Sequence, residues 1–324
     1  MKEKILEALR GAKNHTLSGA RLSEQLGCSR MAIWKHIEDL REKGYRIESL
    51  HGKGYRLVSE VDPMNPSDWQ EPIPTRQIGR ITEYYPVVET TQVIAHQKAR
   101  EGALHGTCVV ADKQTGGKGR LGRSWHSPAG VGLWASFILR PSLPIEAVSQ
   151  ITLVMAAAVA RTLAHFGYQP EIKWPNDLLL GGKKVCGILT ELHGDLDQVR
   201  YLVVGIGINV DHREEDFSPE IRAIATSLYL QDAERKPKRH QLYFQLCKEI
   251  ESLYQLFVEE GFRPIKILWE SYALPFGRKI KVTTLKGSFF GSMKGITEKG
   301  VLLVTDEDGE LHEIHSADIE ICTD

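Results

Sequence analysis

Four prolines, Pro63, Pro66, Pro72 and Pro74, fall within twelve residues of one another, and this cluster constrains the fold more than any other feature of the chain. Each proline removes a backbone donor and fixes φ, so no continuous helix runs through residues 61–76. The hydrophobic pattern changes period on either side of it. Before the cluster the period is helical. From Tyr84 to about Phe262, strand-like runs (Thr107–Ala111, Leu133–Leu139, Val185–Leu192, Tyr201–Val210) alternate with helical stretches (Gln92–Glu101, Ala147–Phe166, His240–Glu260). After Pro275 come short β-rich runs punctuated by Lys286-Gly287, Glu298-Lys299-Gly300 and Asp306-Glu307-Asp308-Gly309. At 324 residues the chain exceeds what one core usually organises. The expected class is α+β and multidomain: an amino-terminal unit over 1–62, a linker over 63–82, a central α/β domain over 83–272, and a small SH3-like β-barrel over 273–324.

The net charge of −1 hides an asymmetry: residues 1–60 carry 12 Lys and Arg against 8 Asp and Glu, and the rest 29 against 34. Only the amino-terminal segment leans toward a polyanion. There, a helix pattern (Ile5, Leu6, Leu9) is followed by a short one (Ala20 to Leu26), the turn Gly27-Cys28-Ser29, and a longer one from Arg30 to Lys43, ending at Gly44. Ser18 and Ser29 stand where N-caps belong. Ile33, Ile37 and Leu40 form a buried stripe on the last helix, which turns Arg30, Met31, Trp34 and Lys35 outward. A hairpin comes next, with His51 and Lys53 at its tip. A generic helical cap with solvated charges would suit the composition alone. The order of elements favours a winged helix-turn-helix, with Ser18, Arg21, Ser29, Arg30, Met31, Trp34, Lys35 and Lys53 as its DNA-contacting set.

Five scattered cysteines without a Cys-x-x-Cys pair imply neither a disulfide framework nor a zinc site. The charge-free run Ile151–Ala160 is about half the roughly 20 residues a membrane span needs, and the amino terminus resembles no signal segment. A cytoplasmic protein without a membrane partner is expected.

Gly116-Gly117-Lys118-Gly119-Arg120-Leu121-Gly122-Arg123 packs four glycines and three cations directly after a strand. Glycines let backbone amides approach an anion, and the cations balance its charge. The loop matches Gly-x-Gly-x-x-Gly literally and comes close to a Walker A pattern. The next segment, Ser124-Trp125-His126-Ser127-Pro128, cannot open the helix that either motif requires. Lys173-Trp174-Pro175-Asn176-Asp177 adds a cation, an aromatic and a carboxylate around a proline, and Lys183 and Lys184 precede an apolar strand. No Ser/His/Asp or Cys/His arrangement accompanies them, and His165 and His193 read as surface or satisfied histidines. Charge placement without a covalent nucleophile fits adenylation, in which a carboxylate attacks the α-phosphate of ATP.

These segments together resemble the bifunctional biotin protein ligase and biotin operon repressor family over essentially the whole chain. Glu89-Thr90-Thr91-Gln92 is similar to the turn lining the biotin pocket, and Lys113 to Arg120 to the loop closing on biotin and its adenylate. Lys173–Asp177, Lys184–Leu189 and Gly205–Val210 match its central signatures. The resemblance implies biotin contacts from Thr90, Thr91, Gln92, Gln114, Lys118, Gly119, Arg120, Lys184 and Gly187, with Lys184 and Arg120 catalytic. It implies adenylate contacts from Gly117, Arg123, Trp125, Asn176 and Asn209, with Trp125 stacked on adenine, a lid within Phe217 to Ala225, and Asp177 as a contact for Mg2+. Lys118 departs from the family's usual Arg and cannot make a two-pronged contact. Thr90, Thr91 and Gln114 suit a ureido ring. Substrates would be biotin and ATP, with no tightly bound cofactor; partners would be a biotin carrier protein, operator DNA and a second copy when biotinyl-AMP is bound. Lipoate ligation on a related fold, or a metabolite-sensing transcription factor without catalysis, are the rival readings.

Overall fold

A computed structural model describes the chain except residues 13–14, 43–44, 51, 60–63, 70, 143, 145–146, 196–197, 285–286 and 323–324. Lys43, Gly44, His51, Pro63 and Lys286, and the expected boundary at residue 62, therefore lie outside the described residues. The chain divides into two compact units, Met1–Pro63 with the turn Pro128–Val131, and Met64–Ser127 with Gly132–Asp324.

In the first unit α1 (Lys2–Gly11), α2 (Gly19–Leu26) and α3 (Arg30–Glu42) precede an antiparallel hairpin of β1 (Arg46–Leu50) and β2 (Gly54–Ser59). Ser18 Oγ accepts from Arg21 N at 3.1 Å and Ser29 Oγ from Ala32 N at 3.2 Å, so both serines cap as expected. Ile33, Ile37 and Leu40 pack with Ile5, Leu6, Leu9 and Leu22 in a core of their own. Arg30, Met31, Trp34 and Lys35 all face outward, as do Arg21 and Lys53. Met31 is 72% and Trp34 51% exposed, which no core requires.

The second unit is built on a seven-stranded sheet of order β3-β4-β5-β9-β8-β7-β6. Its strands are β3 (Thr82–Val88), β4 (Cys108–Gln114), β5 (Gly132–Leu139), β6 (Glu171–Lys173), β7 (Asp177–Leu180), β8 (Lys183–Asp195) and β9 (Gln198–Asn209). Only β3 and β4 run parallel; every other neighbouring pair is antiparallel. Helix α4 (Thr91–Arg100) covers one face with Ala95 and Ala99 against Val109, Ile138 and Val203. On the larger core lie α5 (Val148–His165), α8 (Arg239–Glu260) and α9 (Phe262–Tyr272); the short α6 (Pro219–Arg222) and α7 (Leu228–Gln231) stand between β9 and α8. Leu242, Leu246, Ile250, Leu253 and Phe257 form a buried stripe along α8, within the expected helical stretch His240–Glu260. Helix α5 is 18 residues long with a mean hydropathy of 1.2, apolar enough to cross a membrane, although its charge-free run alone is shorter. Eleven of its residues are buried inside the protein, which makes it a core helix.

The carboxyl-terminal strands β10 (Lys279–Thr284), β11 (Gly287–Ile296), β12 (Leu302–Asp306), β13 (Leu311–Ile314) and β14 (Asp318–Ile321) form an antiparallel sheet of order β13-β12-β11-β10-β14. Its Ile280, Val282, Met293 and Val304 join the main core.

The proline-rich segment corrects one expectation. From Met64 onward it packs instead of bridging: Met64, Ile73 and Ile78 belong to the main core. Glu251 of α8 accepts from the backbone N–H groups of Arg76, Gln77 and Ile78 at 3.0, 2.7 and 3.2 Å. Prolines forbid a helix there, but do not prevent the apolar residues between them from being buried.

Candidate active site

The loop at the end of β4, the turn before β7 and the start of β8 converge on one cavity of about 810 Å3. At one end the polar groups are neutral, and all but the half-buried Gln114 are buried. Thr90 caps α4, its Oγ1 accepting from Gln92 N at 3.2 Å. Gln114 Oε1 accepts from Thr91 N at 2.8 Å and Thr91 Oγ1 at 3.1 Å, and Gln114 Nε2 donates to Ser127 Oγ at 2.8 Å. Ser136 Oγ donates to Gln92 Oε1 at 2.9 Å and stands 2.8 Å from Thr91 Oγ1. Gln92 Nε2 donates to the carbonyls of Val203 and Leu189. Three oxygen contacts of Thr91 and Ser136 thus share two hydroxyl hydrogens, so acceptors are in surplus. Such a surplus suits a ligand that brings N–H donors.

The floor beside this network lacks side chains. Gly187 of β8 pairs with Gly207 of β9, and a Cβ on Gly207 would meet Trp125 Nε1 at 2.5 Å. Trp125 lies on these glycines, edge-on to Trp134 at 6.4 Å. That position serves the cavity floor, and the adenine-stacking role expected of Trp125 requires the ring to face the nucleotide from there.

At the other end the groups are charged. Lys184 Nζ is 2.7 Å from Asp177 Oδ1 and 5.2 Å from the Trp125 ring centre, while Lys173 Nζ is 3.5 Å from Asp177 Oδ2. Asp177 does not fit the expected magnesium role, since an ammonium already stands beside each of its oxygens. It serves instead to hold two lysines. Arg120 Nη1 donates to Asn176 Oδ1 at 3.1 Å, and Asn176 Nδ2 donates to Ile188 O at 2.9 Å, which places Asn176 behind Arg120.

The glycine loop turns back on itself. Gly119 N donates to Arg123 O and Trp125 N to Gly117 O, and only a single 3-10 turn, Arg120–Gly122, interrupts it, so no helix opens after it. Lys118 is exposed, and Gly119, Arg120 and Arg123 line the cavity with it. Gly117 does not line the cavity; a Cβ there would sit 2.4 Å from Trp125 O, so it is a packing glycine. Arg123 reaches across to an ion pair with Asp318 of β14.

Within the expected lid, Phe217, Ile221, Ala223, Ile224 and Ala225 line the cavity. Lys184 N donates to Ile224 O at 2.8 Å and Thr226 N to Lys184 O at 2.9 Å, so this segment is fastened to the backbone of Lys184. Asn209 Nδ2 holds Thr226 O at 3.0 Å, and Lys183 Nζ holds Arg222 O at 3.2 Å. His212 stacks on Phe217 with ring centres 5.1 Å apart. His193 stacks on Tyr201, away from any ligating role.

Sequence reasoning misses Ser136 and Ser127. Ser136 is the lone hydroxyl in β5, a strand buried along its whole length, and that isolation is its sequence signal. Cys186, beside Lys184, is no nucleophile: burial pushes its thiol well above the ordinary range, and burial likewise raises Cys108 to about 12.

Residues 84–209 match the biotin/lipoate A/B protein ligase family, residues 2–56 an HTH domain, and residues 276–321 the biotin protein ligase C-terminal domain. The bifunctional ligase/repressor BirA of Bacillus subtilis (strain 168) is 44% identical over 322 residues, 99% of this chain and 98% of that protein. The chain belongs to the bifunctional biotin ligase/repressor family. A more distant member, BirA of Escherichia coli (strain K12), is 32% identical over 307 residues, covering 94% of this chain and 92% of its own length. A solved structure of biotin protein ligase from Aquifex aeolicus in complex with biotin and ATP superposes with a TM-score of 0.65 at 32% identity, over 75% of this chain and 100% of that one.

Proposed function

We propose that this ligase/repressor joins biotin to ATP as biotinyl-5′-AMP, transfers biotin to a lysine of a biotin carrier protein, and represses biotin genes when the adenylate is bound. One observation carries the reading: a single cavity holds an acceptor-rich neutral network at one end and Lys184, held by Asp177, at the other. The network suits the two N–H groups of a ureido ring. A ligand held there by its ring would direct its carboxylate toward the cations. A carboxylate and an α-phosphate repel each other, and Lys184 and Arg120 lower the cost of bringing them together. The acyl adenylate is a mixed anhydride with a good leaving group, so an amine attacks it without an enzyme nucleophile. The substrates are biotin and ATP, with no tightly bound cofactor; magnesium would arrive with the nucleotide.

The repressor half rests on the outward Arg30, Met31, Trp34 and Lys35 of α3. One module with so small a positive excess binds weakly, so operator recognition calls for two copies on two half-sites. We take the adenylate-bound chain to dimerise, with the glycine loop bordering the contact, and to reside in the cytoplasm. Incubation with biotin, ATP and a purified carrier domain tests the ligase: one biotinyl group should appear on the carrier, and none when its acceptor lysine is replaced by arginine. Operator affinity at fixed salt tests the repressor: it should rise with biotin plus ATP over that with no ligand. Equal affinities would remove the switch.

A further inference from the structure

A second cavity, of about 380 Å3, lies behind the first and is lined from both the catalytic layer and the carboxyl-terminal sheet. Arg120, Trp174, Pro175 and Ile188 line both cavities, which therefore adjoin there. The walls are cross-braced: Thr152 Oγ1 of α5 lies 2.8 Å from Thr190 Oγ1 of β8, and Trp174 Nε1 donates to Gly300 O at 3.1 Å. Gly300 has φ +79, and a Cβ there would stand 2.6 Å from Leu153, so the turn that closes this wall needs glycine. His315 and Ser149 are exposed at the rim.

The reaction sets what must pass here. The adenylate occupies the main cavity, beneath the glycine loop and the segment fastened to Lys184, and the acceptor amine has to reach its acyl carbon by another side. We infer that the second cavity is the route by which the acceptor lysine side chain of the carrier reaches Arg120 and the acyl carbon; the inference rests on the ligase reading above. Leu153, Trp174, Ile188 and Val301 suit the four-carbon stem, and the hydroxyls of Thr152 and Thr190 suit an amine. Among the described residues lining it there is no carboxylate, while the Arg120 guanidinium forms part of its inner wall. An ammonium is therefore disfavoured and the neutral, nucleophilic amine favoured. Pyrophosphate, with several negative charges, would face one permanent cation, Arg120, among uncharged hydroxyls and apolar side chains. In the step itself the amine nitrogen bonds to the acyl carbon, the carbon–oxygen bond to phosphate breaks with its electron pair leaving on AMP, and the amine's surplus proton passes to water at the rim.

Plugging the cavity tests this. Ser149→Trp puts an indole in it from the exposed first turn of α5, and His315→Trp narrows the rim. Transfer to a purified carrier domain, at saturating biotin and ATP, should fall on the order of 100-fold in kcat/KM for Ser149→Trp and less for His315→Trp. Biotin-dependent pyrophosphate exchange should stay at the parent rate in both. Unchanged transfer in both variants would overturn the route. So would loss of exchange together with transfer in both, which would assign the cavity to the nucleotide's phosphates. Absence of exchange in the parent chain would instead sink the ligase reading itself.

Discussion

At the start of α4, Thr90, Thr91 and Gln92 are buried and bonded among themselves and to Ser136 of β5, whereas around the glycine loop Lys118 and Arg123 are exposed and Lys184 is about one-third exposed. The two ends of the cleft recognise by different physics. Hydrogen bonds between neutral groups are directional and lose their value when a partner shifts, so that end is built into a strand, a helix start and a fully buried hydroxyl. Charge acts over a longer range and tolerates imprecise placement, so the other end can combine Lys184 on β8 with Lys118, Arg120 and Arg123 on the glycine loop. On this reading specificity is expected from the neutral end, and rate and retention from the charged one.

That division can be broken by substitution, and the largest effect should come at the charged end. Lys184→Ala removes the cation between two anions and should slow adenylate formation by about 2.7–4 kcal/mol, or 100- to 1000-fold, in single-turnover kinetics. A loss confined to biotin affinity would contradict the division. Ser136→Ala leaves Gln92 Oε1 and Thr91 Oγ1 short of a partner inside the protein. Biotin affinity, measured calorimetrically without nucleotide, should weaken by about 1–3 kcal/mol with KM for ATP unchanged. A shift in the ATP term would show that the two ends are not separate. Arg120→Gly removes a cation and frees the loop from Asn176, so the adenylate should leave roughly tenfold faster and biotin should appear on bystander lysines. Unchanged dissociation would deny the loop its retaining role.

The smallest effect lies away from the cleft. Burial alone would raise the Glu251 carboxyl, but the backbone N–H groups of Arg76, Gln77 and Ile78 hold it below the ordinary value. Its folded form is thus stabilised as the anion. That stability is complete above the unfolded carboxyl's titration and is lost as pH falls through the folded one. The difference in urea midpoint between the parent and Glu251→Gln should shrink as the pH is lowered through that range. A difference independent of pH would show that the segment is not held by this charge.

Legibility in the sequence divides along the same physical line. The stripe of α3, the caps Ser18 and Ser29, and the β4, β5, β8 and β9 runs are legible because local periodicity and capping chemistry determine them. So is the failure of the glycine loop to open a helix, since Pro128 and the glycines after it forbid one. The short β6 and β7 are not legible, because three or four residues carry no period. Nor is the role of Ser136, which depends on the register that sets β5 against α4. The burial of Met64, Ile73 and Ile78 is hidden by the prolines between them, and the Arg123–Asp318 pair joins residues too far apart in sequence for any local pattern to connect.

Whether placed charge at Lys184 joins the opposed anions is decided by exchange of labelled pyrophosphate into ATP, measured with and without biotin in the parent and in Lys184→Ala. The expected result is exchange that requires biotin in the parent and falls at least about 100-fold in the variant. Exchange without biotin, or at the parent rate in Lys184→Ala, would contradict it.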